Sequence, residues 1–217
     1  MQRPVRTARL VLRPLAVADA AQLLAYRSLP EVARYVPFTP MTADRIADKL
    51  AGPWSRTRLA ADGDGIVIGV QRADTGELIG DISLFLRSVE HRGGEIGWLQ
   101  HPAHGGHGFA TEAAHGALHL AFDGLGLHRV VARVDARNTA SLRLCERLGM
   151  RREAVLVANE WFKGEWGDEI DYALLENEWA ARHAAGAFAA APPCVRYDSP
   201  PSSGSRSAIE STIREAR

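Results

Sequence analysis

The sequence predicts an α/β (α+β) fold in which helices flank a mixed, mostly antiparallel twisted sheet. Two apolar runs, Gly65–Arg72 and Leu78–Arg87, are separated by the turn residues Asp74–Glu77, which is typical of a β-hairpin. A glycine turn and an apolar-periodic helix then separate the strand Gly94–Gln100 from the strand His128–Asp135, which is typical of a crossover connection. Hairpins and a crossover in one chain require both strand directions.

The N-terminal elements precede the hairpin. The run Ala8–Arg13 predicts a first strand, which Pro14 closes. Apolar residues at helical spacing predict a helix over Val17–Ser28 and a second, shorter helix over Thr42–Leu50.

Three helices and two further strands are predicted in the C-terminal half. The helix after the glycine turn runs to about Leu125 and has one apolar face. A second helix begins at an Asn138 cap and runs to Leu148. Two strands and a last helix follow, over Arg151–Val157, Glu169–Leu175 and Glu176–Ala187, with a turn at Gly164–Asp168 between the strands.

Composition limits the class of protein. The chain has 217 residues, 46% hydrophobic and 24% charged, with a formal net charge of zero, which argues against a general nucleic-acid binder. No run reaches the ~18 apolar residues of a membrane helix. Because Cys145 and Cys194 are the two cysteines, we expect no structural disulfide and a cytoplasmic location. We expect one domain over residues 1–190 and a disordered Pro/Ser-rich tail over 191–217.

The stretch Gly105–Glu112 carries the strongest functional signal. Glycines leave backbone N–H groups uncovered, and a helix start adds free N–H donors and the positive end of the helix dipole. This combination predicts a phosphate or pyrophosphate site. A P-loop is excluded because no Gly-Lys-Ser/Thr follows the glycines. A Rossmann fingerprint is disfavoured because Thr111 replaces its last glycine and Asp135 lies too far along the chain.

An ordered series of motifs over roughly residues 7–180 resembles the GNAT superfamily of N-acetyltransferases. Together the motifs are similar to its RimJ/RimL branch, whose named members acetylate the N-termini of ribosomal proteins. The stretches that carry the resemblance are, in chain order, Thr7–Pro14, Gly94–Leu99, Gly106–Ala113, Leu127–Val130, Val134–Asp135, Asn138–Ser141, Leu148–Arg151 and Gly164–Leu175.

The resemblance implies a GNAT-like fold that binds acetyl-CoA as co-substrate. It places the pyrophosphate on the loop formed by Gly105, Gly106, His107, Gly108, Phe109, Ala110 and Thr111. Gly105 stands where the superfamily usually has Arg or Gln, which leaves the backbone amides, with His107 as a partner, to bind the pyrophosphate. The backbone N–H of Trp98 or Leu99 would polarise the thioester carbonyl. Asn138 would lie near the pantetheine, although a plain helix cap explains it equally well.

Acyl transfer to an amine also requires side chains that handle protons. Ser141, at the third position of its helix, would bond or relay a proton to the CoA sulfur. Glu160 ranks first as general base, since a carboxylate beside Trp161 and Phe162 is partly desolvated and resembles a glutamate proposed as base in this branch. Glu95 ranks second, because the superfamily often uses a glutamate on that strand.

No metal is predicted. His101, His104 and His107 lie around a proline and glycines, with no regular element to bring them together. His115 and His119 are one helical turn apart but lie off the apolar face, and the sequence shows no third ligand.

The sequence therefore predicts an acetyl-CoA-dependent N-acetyltransferase that acts by direct attack in a ternary complex. The expected acceptor is a protein N-terminus or a small primary amine, with no membrane or nucleic-acid partner; a homodimer stays open. The alternatives are a catalytically silent acyl-CoA-binding module and a dinucleotide-binding oxidoreductase.

Overall fold

Residues 4–184 are described by the computed structural model, and their strands form one eight-stranded sheet. The strands are β1 (Val5–Arg6), β2 (Leu10–Pro14), β3 (Gly65–Arg72), β4 (Leu78–Ser88), β5 (Gly93–Gln100), β6 (Arg129–Asp135), β7 (Arg151–Phe162) and β8 (Glu165–Leu175). The helices are α1 (Ala20–Arg27), α2 (Pro30–Ala33), α3 (Ala43–Ala51), α4 (Phe109–His119), α5 (Thr139–Arg147) and α6 (Glu176–Ala184). The predicted tail from residue 191 lies outside the described residues.

The strand order is β1-β2-β3-β4-β5-β6-β8-β7, and every neighbouring pair is antiparallel except β5 and β6. The mixed, mostly antiparallel sheet of the predicted α/β class is therefore confirmed. The parallel pair is the one joined through α4, because a parallel connection must cross over the sheet.

The two faces of the sheet carry separate apolar cores. Helix α4 packs on β2, β4 and β5, while α5 packs on β6 and α6 on β8. Helices α1 and α3 cover the other face over the N-terminal half of the sheet, where Leu23, Tyr26 and Ile46 are fully buried. The second face of β5 to β8 carries polar and charged residues at alternating positions, such as Glu95, Arg133 and Asp171.

Two predicted elements differ from the structure in local detail. The helix that begins with α4 does run to about Leu125, but its last turn widens into a π-turn over Leu120–Gly124, and Gly126 closes it at a φ of +67°. The last hairpin is longer than predicted, because its turn is Lys163-Gly164 at φ values of +55° and +86°. Left-handed residues at both turn positions match the strand twist, so pairing continues up to the turn.

Two short elements, β1 and α2, were not predicted. Each is too short to show a period in the sequence. Helix α6 is described as far as Ala184, three residues before its predicted end. Over residues 4–184, no helix has the length and apolar character needed to cross a membrane.

Candidate active site

Strands β5 and β6 part in the middle of the sheet. They pair only where Gly93–Glu95 lies beside Arg129–Val131, and within residues 4–184 no strand pairs with the rest of β5 on that edge. One side-chain bond spans the opening, since the indole Nε1 of Trp98 donates to Oγ of Ser141 at 3.0 Å. The opening exposes backbone N–H and C=O groups of β5 that would otherwise form hydrogen bonds with a neighbouring strand.

The hydrogen-bond alternation of β4 and β5 decides which amides face this opening. The N–H of His101 donates to the carbonyl of Ile79, directly across the ladder, at 2.8 Å. Antiparallel residues alternate between bonding their partner and pointing away from it. Counting back along β5, the amide of Leu99 points to β4 and the amide of Trp98 points to the open edge. Of the two amides that the sequence left open, the structure aims that of Trp98 into the opening.

The glycine loop presents a run of free amides at the start of α4. Gly106 and Gly108 have φ values of +79° and +77°, a conformation that disfavours any residue with a Cβ. Among the described residues, none of the amides from Gly106 to Thr111 donates to a protein acceptor. These amides and the helix dipole fit the pyrophosphate of CoA.

Thr7 and Arg9 hold the loop through Glu112. Its carboxylate accepts from Oγ1 of Thr7 at 2.6 Å, the amide of Arg9 at 2.8 Å and Nε of Arg9 at 2.7 Å. The guanidinium of Arg9 also donates to the carbonyl of His107 at 3.0 Å and lies 4.5 Å from the ring centre of Phe109. Sequence reasoning missed this clamp, because about a hundred residues separate its members.

A small apolar pocket lies between strands β3, β4 and β5 and the start of α4. Its lining residues are Val70, Ile79, Gly80, Ile82, Trp98, Leu99, Gln100, Phe109, Ala110 and Ala113. Its lining includes Phe109 and Ala110 at the end of the glycine loop and Trp98 on β5. An apolar lining next to amide donors fits a pantetheine arm joined to a pyrophosphate.

The start of α5 carries two predicted site residues, Asn138 and Ser141. Oδ1 of Asn138 accepts from the amide of Ser141 at 3.1 Å, so Asn138 is a helix cap here. Oγ of Ser141 accepts from Trp98, and its own hydrogen stays available to a further acceptor. Gly97 is a packing glycine, since a Cβ there would lie 2.8 Å from Oγ of Ser83.

The two candidate bases differ in their surroundings. Glu95 is 16% exposed, and its Oε2 lies 2.9 Å from Nε of Arg87 and 3.7 Å from Nε of Arg133. Glu160 is half-buried on β7 opposite Gly167, and no ion pair engages it among the described residues. The arrangement leaves the Glu160 carboxylate more available to a substrate than that of Glu95.

Further acidic side chains lie near Glu160. Burial raises the pKa of the Glu169 carboxyl above its usual range, and the charges of Asp171, Glu160 and Glu95 add to the rise. The side-chain amide of Asn159 donates to Glu169 at 3.1 Å. This sheet face therefore carries clustered negative charge, which the sequence did not reveal because the residues come from three strands.

The β7–β8 hairpin reaches across this face to the N-terminal helices. Nζ of Lys163 donates to the carbonyl of Ala33 at the end of α2. Trp161 and Trp166 form a ring pair 5.4 Å apart and are 57% and 60% exposed. Tyr26 is instead buried in the core, where its hydroxyl bonds Asp81. The hairpin and the end of α2 therefore lie in contact with each other.

The histidines divide into two groups. Nδ1 of His101 accepts from the amide of Ala103 in its own turn, and Nε2 of His104 lies 3.2 Å from the Glu77 carboxylate in the turn between β3 and β4. His115 and His119 do not lie off the packed face as predicted. They pack against Trp179 of α6, and His183 lies beside them as the third histidine that the sequence did not show.

The fold, the amide loop and the parted strands together define an N-acetyltransferase, and comparison with known proteins agrees. The model of the family described as Acetyltransferase (GNAT) domain matches residues 9–151. The chain belongs to this family. The predicted enzyme class is confirmed.

Individual relatives support the assignment. The chain is 32% identical over 178 residues to Uncharacterized N-acetyltransferase YnaD of Bacillus subtilis (strain 168), covering 81% of this chain and 98% of the relative. A GNAT-family acetyltransferase structure from Bacillus anthracis has a TM-score of 0.72 at 30% identity, covering 81% of this chain and 99% of that one. The fold is shared with a Vibrio cholerae spermidine N-acetyltransferase solved with CoA and spermine, with a TM-score of 0.69, 24% identity and coverage of 79% and 98%.

Proposed function

We propose that the protein transfers an acetyl group from acetyl-CoA directly to a primary amine, and that it belongs with the RimJ/RimL branch. The observation that carries the proposal is the run of free amides from Gly106 to Thr111, which opens onto the parted strands. Substrates held on the two sides of this opening would meet there. Holding both reactants in line supplies much of the rate enhancement in such a transfer.

Three groups have roles in the transfer. The amide of Trp98 donates to the thioester carbonyl oxygen and stabilises the charge that develops on it. The hydroxyl of Ser141, oriented by the Trp98 indole, donates toward the CoA sulfur. Glu160 takes the proton of the amine, directly or through water, so that a neutral nitrogen attacks. No group on the chain is acetylated in this scheme.

The acceptor is an amine that approaches the charged sheet face beside the β7–β8 hairpin. Glu160, Glu169 and Asp171 give that face negative charge, which favours a protonated amine in the encounter. The Vibrio cholerae relative acts on spermidine according to its name, which is consistent with a small cationic acceptor. A peptide α-amine is the other acceptor that the site accommodates.

Calorimetric titration with acetyl-CoA, with NADH as a parallel ligand, tests the binding half of the proposal. Gly106→Asp should raise the Kd for acetyl-CoA at least about 10-fold, roughly 1.4 kcal/mol, because a carboxylate faces the pyrophosphate. Gly126→Asp is the matched control, since Gly126 also has a positive φ and open space around its Cα. Tighter binding of NADH, or equal effects of both variants, would overturn the site assignment.

Release of the CoA thiol in a screen of primary amines, including spermidine and a peptide with a free N-terminus, tests the chemistry. Glu160→Gln should lower kcat by about 10²–10⁴-fold with little change in acetyl-CoA affinity. Glu95→Gln should have a smaller effect, because Arg87 and Arg133 already engage that carboxylate. A larger loss in Glu95→Gln would transfer the base role to Glu95. Acetyl-CoA binding without turnover of any amine would favour the silent binding module.

A further inference from the structure

Three histidines meet where the C-terminal end of α4 packs against α6. His115 and His119 are one turn apart on α4, and His183 comes from α6, 64 residues beyond His119. One ligating atom from each ring lies within 4.8 Å of the other two. All three residues are half-buried around the indole of Trp179.

The outer nitrogens of two rings are already committed. Nδ1 of His119 lies 2.6 Å from Oδ2 of Asp123, and Nδ1 of His183 lies 2.9 Å from the carbonyl oxygen of Trp179. A carbonyl and an ionised carboxylate only accept hydrogen bonds, so each Nδ1 carries the ring hydrogen. In the neutral imidazole the Nε2 then carries a lone pair and no hydrogen.

The Nε2 atoms of the two rings face each other. Nε2 of His119 and Nε2 of His183 are 3.1 Å apart. Two lone pairs at this distance repel unless a cation or a proton lies between them. In a tetrahedral zinc site with Zn–N bonds of about 2.0–2.1 Å, neighbouring nitrogens are about 3.3 Å apart. The observed separation is close to that value.

We propose that His115, His119 and His183 bind a divalent transition-metal ion of the zinc class. Imidazole is a preferred ligand of such ions. The second contacts of His119 and His183, to a carboxylate and a backbone carbonyl, are the ones that metal-bound histidines usually make. His115 approaches by roughly an ångström to complete the set, since ligands on one zinc ion are at most about 4 Å apart.

The site fastens α6 to α4 and lies away from the transfer chemistry. Its ligands lie at the opposite end of α4 from the glycine loop. The Asp123 side chain is 54% exposed and that of His119 is 22% exposed, so an ion can reach the site from solvent. The ion is therefore structural, and its binding is independent of the proposed acetyl transfer.

Titration of the chelator-treated full chain with zinc sulfate tests the proposal. We expect one zinc per chain by calorimetry and mass spectrometry. At zinc 100-fold above its Kd, the Tm should rise by about 5–10 °C. Cobalt(II) in place of zinc should give the visible absorption of a low-coordinate site.

Variants separate the site from adventitious binding. His119→Gln and His183→Gln should abolish the zinc-dependent shift of the Tm, whereas His91→Gln, at an exposed position elsewhere, should keep it. Asp123→Asn preserves the shape of the site and should weaken zinc by about 10–100-fold. The proposal is overturned if zinc binds all variants equally, or if the Tm responds to pH near neutrality and not to zinc. The second result would indicate a proton shared between His119 and His183.

Discussion

The two ends of helix α4 are built on different principles. At its N-terminal end, consecutive residues from Gly105 to Glu112 present backbone amides, and two left-handed glycines keep them uncovered. At its C-terminal end, the chemistry lies in side chains, and His183 joins His115 and His119 from a distant part of the chain. We propose an anion site at the first end of the helix and a cation site at the other.

This difference determines which of the two kinds of site can be recognised from the sequence. A site made of backbone groups in one segment appears as a local pattern of glycines followed by a helix. A site made of side chains from several elements appears only when the fold places them together. The first kind depends on backbone conformation, and the second depends on how the helices dock. Substitutions at one end of α4 should therefore affect different properties from substitutions at the other end.

The largest effect is expected from Trp179→Ala at the C-terminal end. Trp179 is 2% exposed, stacks on Phe122 with ring centres 5.4 Å apart, and donates to Asp123 at 3.2 Å. Its removal should lower the free energy of unfolding by about 3–5 kcal/mol, measured by urea denaturation. Acetyl-CoA affinity, measured below the transition, should stay within about twofold of the parent, roughly 0.4 kcal/mol.

Trp166→Ala is the control for this substitution. Trp166 is 60% exposed on the β7–β8 hairpin, so its loss should cost about 0.5 kcal/mol or less. If Trp179→Ala weakened acetyl-CoA as strongly as Gly106→Asp, the two ends of α4 would be coupled, and the contrast between them would fail.

Glu112→Gln should have an intermediate effect at the N-terminal end. The substitution keeps the shape of the side chain but removes the charge that Arg9 and Thr7 engage. The Arg9 side chain is 49% exposed, so the expected loss of unfolding free energy is about 1–2 kcal/mol. The acetyl-CoA Kd should rise several-fold, because the loop loses its tie to β2.

Glu146→Gln on α5 provides the comparison for Glu112→Gln, since Glu146 is exposed. This substitution should leave the free energy of unfolding and the acetyl-CoA Kd unchanged. Loss of stability in Glu112→Gln with unchanged acetyl-CoA affinity would show that the clamp supports the fold and not the loop conformation.

The sheet could be predicted because its signals are local. Alternating apolar runs and turn residues predicted β3, β4 and β5, and their bounds differ from the structure by at most one residue. The π-turn after α4 could not be predicted, since Leu120–Gly124 keeps an apolar pattern that continues the helix. The last hairpin was predicted too short because Glu165–Asp168 contains turn-forming residues. In the structure the turn lies at Lys163-Gly164.

The same limit applies to the site. The loop and the cap at Asn138 could be predicted from adjacent residues, while their functional roles stay predictions. The clamp of Thr7, Arg9 and Glu112 depends on β2 lying beside the start of α4, and no spacing in the sequence encodes that distance. His183 was missed for the same reason.

A smaller effect concerns ionic contacts around α6. Hydrogen bonds from Arg129, and then from Arg151, lower the pKa of the Glu153 carboxyl from its ordinary 4.5 to about 2. Arg151 also pairs with Glu178 on α6. A depressed folded-state pKa stabilises the protein above the unfolded value, and this contribution is lost as the pH falls from about 4.5 to about 2. Partial exposure limits it to about 1 kcal/mol.

Denaturation at pH 6 and at pH 2.5 measures this contribution. The parent should lose about 1 kcal/mol more than Glu153→Gln over this interval. Glu90→Gln, at an exposed position, should follow the parent. If Glu153→Gln also followed the parent, the ionised Glu153 carboxylate would not contribute to the stability of the fold.

The smallest effect is expected at Cys145, which is buried on α5 and belongs to neither site. Burial raises the pKa of its thiol to about 12, so at pH 8 only about one thiol in 10⁴ is ionised. Iodoacetamide should leave Cys145 unmodified in the folded protein and modify it in urea, as read by peptide mass spectrometry. Cys145→Ala should keep kcat within about twofold, roughly 0.4 kcal/mol. An acetyl group recovered on the Cys145 peptide after incubation with acetyl-CoA would contradict direct attack by the amine, because the acyl group would then have passed through the protein.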